Sequence, residues 1–108
     1  MGPWVTTSDE VKDPNKLSVT GSLNEEIFTN DHTSNYRFSV EECISEASRY
    51  FTLEPGDLIS FGTTGKGTTK FPRGHKSLLI GEQKGTINIS IDNLGTLSNP
   101  IKHQKGGA

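Results

Sequence analysis

The sequence holds a single cysteine, Cys43, among 108 residues, so no disulfide can form within the chain. That favours a reducing, cytoplasmic setting. Apolar residues are scarce: aliphatic, aromatic and cysteine side chains make up 30%. Adding the 12 glycines still leaves the share below the usual ~45–50% of a globular domain. Long apolar runs are absent, as is a charged-then-apolar N-terminal stretch, so neither a membrane span nor a signal peptide is expected. Charge of one sign is lacking too. The net charge of −2 gives no electrostatic case for binding nucleic acid or an acidic membrane. The length allows one small domain with a thin core. The apolar shortfall suggests a domain that leans on a partner or belongs to something larger. "MGPWVT" and the sequon Asn88-Ile89-Ser90 match acylation and glycosylation patterns, but nothing else in the sequence supports either.

Met1 to Pro14 is irregular, with Val5 its one plausible strand centre. Leu17, Val19, Gly21 and Leu23 then alternate with Ser18, Thr20 and Ser22, which is a strand pattern. Asn24-Glu25 turns the chain and Glu26–Thr29 returns it, although Asn-Glu is a weaker turn signal than Asn-Gly. Asn30–Asn35, "NDHTSN", reads as a polar connector. His32 lacks partners at ligand spacing, so it is not taken as a metal ligand.

One helix is expected over residues 39–51. Ser39 and Glu42 form a capping box. Val40, Cys43, Ile44, Ala47 and Phe51 form an apolar stripe that places Cys43 as an inert core thiol. "LEPGD" ends the helix, and Leu58–Phe61 reads as a short strand. "SLLIGE" leads towards another strand region. Thr86–Ile91 alternates with Ile87, Ile89 and Ile91 inward, and Gly95–Ile101 makes a last strand. Lys102–Ala108 reads as a disordered tail or a cloning scar. The sum is an α+β, β-rich fold.

Between the strand regions lies Gly62–Gly74, rich in glycine and threonine, with Lys66, Lys70, Arg73 and His75 around it. It is not a P-loop. Gly62 and Gly65 are too close together, glycine rather than serine or threonine follows Lys66, and no long helix comes next. A carboxylate fits better. Glycines let successive backbone N–H groups approach an anion, Thr63 adds a hydroxyl donor and Lys66 a charge. A mobile hairpin loop whose glycines only make room explains the same residues.

The order of these pieces resembles the C-terminal part of the fumarylacetoacetate hydrolase superfamily, over residues 1–101. "LEPGDLISFGTTGKG" follows the family's L-x-P-G-D-hydrophobic-I-x-x-G-T-P-x-G-x-G at Leu53, Pro55, Gly56, Asp57, Ile59, Gly62, Thr63, Gly65 and Gly67. "IDNLGTLSNPI" follows its closing strand, Gly2-Pro3-Trp4 its opening segment and Thr33-Ser34 its N-T-S. Thr64 replaces a proline, Phe61 a common threonine, Asn24-Glu25 an Asn-Gly turn, and "TNDHT" a Q-D-G-N-T segment.

The resemblance implies a mixed β-roll or sandwich of the fumarylacetoacetase C-terminal type, incomplete in this chain. It implies a homodimeric enzyme acting on 2-oxo or β-diketo acids by C–C hydrolysis, decarboxylation, isomerisation or dehydration. In such enzymes Mg²⁺, or Mn²⁺ or Ca²⁺, polarises the acid and stabilises an enolate. By the same resemblance Thr63, with Gly62 and Thr64 and less directly Lys66, binds the substrate carboxylate. The family's metal-binding carboxylates, substrate lysine and His/Glu pair lie before the Gly-Pro-Trp segment, so no catalytic residue or metal ligand is expected here. A missing N-terminal half or a second chain would supply them. Glu25-Glu26 and Glu41-Glu42 are adjacent and do not substitute for alternating carboxylates. The competing reading is a non-catalytic β-rich binding or assembly module that kept the fold without the metal ligands.

Overall fold

Alternation of apolar and polar residues builds the centre of the structure. The computed structural model describes residues 1–104. Strands β1 (Ser18–Leu23), β2 (Glu26–His32), β3 (Gly85–Ile91) and β4 (Gly95–Ile101) form one antiparallel sheet in the order β2-β1-β3-β4. One helix, α1 (Val40–Ser48), and short 3₁₀ turns at Ser8–Glu10, Thr33–Asn35, Gly74–Ser77 and Ile80–Glu82 complete the described elements. The fold is α+β and β-rich. The expected tail falls partly on residues 105–108, outside the described residues.

Register puts Val19 opposite Ile91 and Leu23 opposite Ile87, so the isoleucines of β3 share a face with the core residues of β1. That core is small. Leu17, Val19, Leu23 and Phe28 are its buried apolar side chains. Full burial of such a side chain is worth roughly 1.5–3 kcal/mol. Many large apolar groups stay outside it: Trp4, Phe38, Tyr50, Phe51, Leu58 and Leu79 are all exposed.

A bulge sets the geometry of β2. Gly21 pairs with Thr29 while Ser22 pairs with Ile27, leaving Phe28 as the extra residue. Phe28 and Thr29 are both buried there. A Cβ on Gly21 would lie 2.7 Å from the Phe28 ring and from the Thr29 methyl, so only glycine fits opposite the bulge.

The hairpin turn forms where expected, with Asn24 and Glu25 both at positive φ, 50° and 73°. Asn24 also straps the hairpin to β3: Nδ2 donates to Lys84 O (2.5 Å) and Oδ1 accepts from the Thr86 N–H (2.9 Å).

β2 runs on to His32, through half of the stretch expected to be loop, because β1 offers partners as far as Ser18. Leu58–Phe61 forms no strand, while "SLLIGE" leads through 3₁₀ turns into β3. The outer edge of β2 is occupied instead by the glycine-rich loop. Thr68 Oγ1 donates to Ile27 O (3.1 Å) across it.

Helix α1 carries its expected capping box. Ser39 Oγ accepts from the Glu42 N–H (3.1 Å), and Glu42 Oε1 accepts from the Ser39 N–H (3.4 Å). Further turns reach Phe51 through bonds to Ala47 O. Asn15 ties the helix to the preceding chain by accepting from the Val40 N–H and donating to Glu41 Oε2. The apolar stripe is not buried, contrary to expectation. Cys43 is half-buried and Ile44 exposed, because no described element lies over that face.

Glutamate in the left-handed region costs about 1–2 kcal/mol that glycine avoids. Glu25→Gly should therefore raise stability by roughly 1 kcal/mol, after glycine's own entropic cost. A higher urea midpoint with an unchanged m-value is the expected result.

Candidate functional site

Residues Gly62–Gly67 are fastened at both ends. Tyr36 Oη donates to Gly62 O (3.0 Å). At the other end β2 holds both backbone polar groups of Lys66: Asp31 Oδ2 accepts its N–H (3.0 Å), and Thr29 Oγ1 donates to its carbonyl (2.7 Å). The loop is thus a bridge strung between the residues after β2 and the edge of β2 itself.

Asp31 is the hub. It is buried, and its other oxygen accepts from the His32 N–H (2.8 Å) and from Asn35 Nδ2 (2.6 Å). Burial pushes its carboxyl up. The hydrogen bonds from Asn35, His32 and Lys66, with the Lys66 charge, outweigh burial and hold it below the ordinary value of 3.8. The Tyr36 hydroxyl is pushed above its ordinary value, first by burial and then by the Asp31 charge, so it remains a proton donor to Gly62 O at neutral pH.

The next segment folds back onto the loop. Thr68 and Phe71 close a tight turn: the Thr68 N–H donates to Phe71 O and the Phe71 N–H to Thr68 Oγ1. A Cβ on Gly67 would come within 2.3 Å of Phe71 O, so this turn requires glycine. Gly74, buried at φ +59°, meets Gly65 O so closely that a Cβ would sit 2.9 Å away.

Between the two segments opens a cavity of about 390 Å³ lined by Thr63, Gly65, Arg73, His75 and Lys76. Of the residues expected to bind the carboxylate, Thr63 lines this cavity. Gly62 is engaged through its carbonyl with Tyr36, Thr64 is half-buried, and Lys66 is exposed with its backbone committed to β2. None of these three lines the cavity. Lys70 is paired with Glu26 at 2.7 Å.

Asp31, Thr29, Tyr36 and Lys76 were not singled out. The signal available for the first two was Thr29-x-Asp31, alternating along a strand that reads as ending at Thr29. No comparable signal marks Tyr36. A larger hollow of about 940 Å³ along α1 is bounded by that helix and its flanks alone, so it is an uncovered surface rather than an enclosed site.

Among the described residues no three His, Cys, Asp or Glu side chains converge to hold a metal. No helix among them is long and apolar enough to cross a membrane.

The model of the fumarylacetoacetate (FAA) hydrolase C-terminal family matches residues 1–102. The chain belongs to that family. It is 35% identical over 102 residues to uncharacterised proteins of Staphylococcus aureus strains USA300 and N315, covering 94% of this chain and 32% of each of theirs. Among solved structures it resembles maleylpyruvate hydrolase from Sphingobium sp. SYK-6, with a TM-score of 0.73, 31% identity, and coverage of 92% of this chain and 33% of that one. A second structure of that hydrolase, in complex with manganese(II) and pyruvate, gives a TM-score of 0.72 at 31% identity, with the same coverage of both chains. The chain therefore spans about a third of the length of the family relatives it matches.

The Asp31 anchor has a definite pH sign. A carboxyl whose folded pKa lies below its unfolded value stabilises the fold above the unfolded value and loses that contribution as pH falls through the folded one. The Lys66 and His32 amide resonances should therefore stay fixed at neutral pH and move together only below the ordinary Asp range. Asp31→Ala should abolish that step and expose the Lys66 amide to hydrogen exchange at pH 7.

Proposed function

We propose that this chain is the carboxylate-binding part of a metal-dependent enzyme that acts on 2-oxo acids. The carrying observation is the cavity at Thr63 and Gly65. Thr63 and Gly65 line it together with Arg73, His75 and Lys76, with no carboxylate in its lining. A carboxylate placed there takes charge-assisted hydrogen bonds from the Thr63 hydroxyl and from backbone N–H groups near it. The clamps at Gly62 and Lys66 keep those donors in place before the ligand arrives, which lowers the ordering cost of binding. The manganese(II) and pyruvate complex of the structural relative supports a small 2-oxo acid as the class of ligand.

A divalent ion, Mg²⁺ or Mn²⁺, does not fit the described residues of this chain, since they offer no converging ligand set. In this proposal its ligands come from another segment or a second chain, as in a cytoplasmic homodimer. This chain's own work is to bind the acid and hold it still. C–C hydrolysis, decarboxylation, isomerisation and dehydration all begin from an acid held in that way. The same lack of converging ligands also suits a binding or assembly module, and the metal experiment separates the two.

Thr63→Val should weaken pyruvate or oxalate binding by about 1–3 kcal/mol, the cost of leaving a charged acceptor short of a donor. An NMR titration reads this directly, with shifts expected at the Thr63 and Gly65 amides. Unchanged affinity would remove Thr63 from the site.

Calorimetric titration of this chain with Mg²⁺ or Mn²⁺ should show no one-to-one uptake. Addition of the rest of a family enzyme as a separate chain should restore uptake. A module that lost the reaction would stay metal-free after that addition.

A further inference from the structure

Gly62 and Gly65 stand in open space. A Cβ on either would meet nothing within 4 Å, so crowding does not fix the backbone between them. Gly62 lies at φ +81°, a conformation that glycine holds without strain. The same freedom lets the peptide that follows it rotate. The N–H groups of Thr63, Thr64 and Gly65 donate to no backbone carbonyl among the described residues. They are the donors a carboxylate would take, and their direction has to be held by something else.

A single side chain holds the start of the span. Tyr36 Oη donates to Gly62 O (3.0 Å). That carbonyl and the Thr63 N–H belong to one planar trans peptide, in which they point in opposite directions. A hydroxyl that keeps the carbonyl on the Tyr36 side therefore turns the Thr63 N–H to the other side. The far end works in reverse. Asp31 Oδ2 accepts from the Lys66 N–H, which turns the Gly65 carbonyl away from β2 and towards Gly74.

Tyr36 is itself a fixed point. Its N–H donates to Thr33 O (3.1 Å) and closes the Thr33–Asn35 turn. Thr33 is tied to the start of β1: its N–H donates to Leu17 O (2.8 Å), and its Oγ1 accepts from the Leu17 N–H (2.9 Å) and donates to Pro14 O (2.8 Å). Asn35, the residue before Tyr36, donates to Asp31. One carboxylate thus braces both the turn that carries Tyr36 and the far end of the span.

We infer that Tyr36 is a positioning residue for the ligand carboxylate, its hydroxyl setting the plane of the Gly62–Thr63 peptide and so aiming the Thr63 N–H into the cavity. The inference rests on the reading that the Thr63–Gly65 span takes a carboxylate, and it names the residue that presents that span. Phenylalanine at position 36 keeps the half-buried ring and loses only the bond to Gly62.

The test titrates pyruvate into the native chain and into Tyr36→Phe, followed by NMR. The variant should bind about three- to tenfold more weakly, the range for one hydrogen bond. Before any ligand is added, the Gly62 carbonyl carbon and the Thr63 amide nitrogen, which share the peptide, should move. The Lys66 amide and the amides of β1 and β3 should stay in place. Ser48→Ala is the control, since it removes another exposed hydroxyl-to-carbonyl bond, from Ser48 Oγ to Ser45 O on α1, and it should leave the affinity unchanged.

Unchanged affinity in Tyr36→Phe overturns the positioning role, and if Thr63→Val weakens binding in the same series the carboxylate reading stands without it. Gly62 and Thr63 resonances that do not move overturn it as well, because the bond would then orient nothing. So does a loss of affinity accompanied by movement at Lys66 and along the sheet, which makes Tyr36 a support of the fold only. If Tyr36→Phe weakens binding and Thr63→Val does not, the Thr63 hydroxyl loses its part and Tyr36 keeps its role through the backbone N–H groups. No binding by the native chain overturns both readings.

Discussion

The site rests on one buried carboxylate. Asp31 accepts hydrogen bonds from the backbone of His32 and Lys66 and from the Asn35 side chain. Its position on β2 makes it the point where a regular sheet takes hold of an irregular loop. Without it the Lys66 N–H would have no partner in β2, and Lys66 would be held by Thr29 alone. The loop side of the cavity depends on this anchor. The clamp at Lys66 and the bond from Tyr36 to Gly62 leave Thr63–Gly65 as the short free span, and that span meets Gly74.

The bulge in β2 serves the same end. With regular pairing, Phe28 and Thr29 would point to opposite faces. The extra residue lets Phe28 fill the core while Thr29 reaches the Lys66 carbonyl. Gly21 is the condition for this, because any side chain there would occupy the space of both. A glycine that reads as a gap in the β1 pattern is thus what places a hydrogen-bond donor under the loop.

The sheet was legible where periodicity is strong. Val19, Leu23, Ile87 and Ile91 alternate, and they share a face as that alternation requires. Ser39 and Glu42 gave the helix start because capping is local chemistry. Legibility failed where partners decide the outcome. Leu58–Phe61 has strand-like residues but pairs with neither edge of the sheet, and the loop that follows lies on the edge of β2. "NDHTSN" is polar enough to read as loop, yet its first half is strand because β1 pairs with it. Thr63, expected from its glycine neighbours and the family pattern, lines the cavity. Lys66, the less direct candidate for supplying a charge, has both its backbone N–H and its carbonyl bonded to β2. The basic groups on the cavity wall come from a turn whose position depends on Gly74 touching Gly65, a contact no local pattern encodes.

The thin core and the ordered site make a consistent pair. Four buried apolar side chains stabilise the sheet, while Phe38, Ile44, Tyr50 and Phe51 remain exposed around α1. In a chain that spans about a third of its relatives' length, such a face is where further structure would gain the most by burial. The clamps on the loop follow a different logic. Thr29, Asp31, Tyr36 and Thr68 all lie within this chain, and each makes its bond without help from another segment. The loop wall of the cavity is therefore specified locally, by polar bonds, and the α1 face is the part that lacks apolar cover. Docking of further structure on α1 would add stability on a surface that contributes no side chain to the cavity between Thr63 and Arg73.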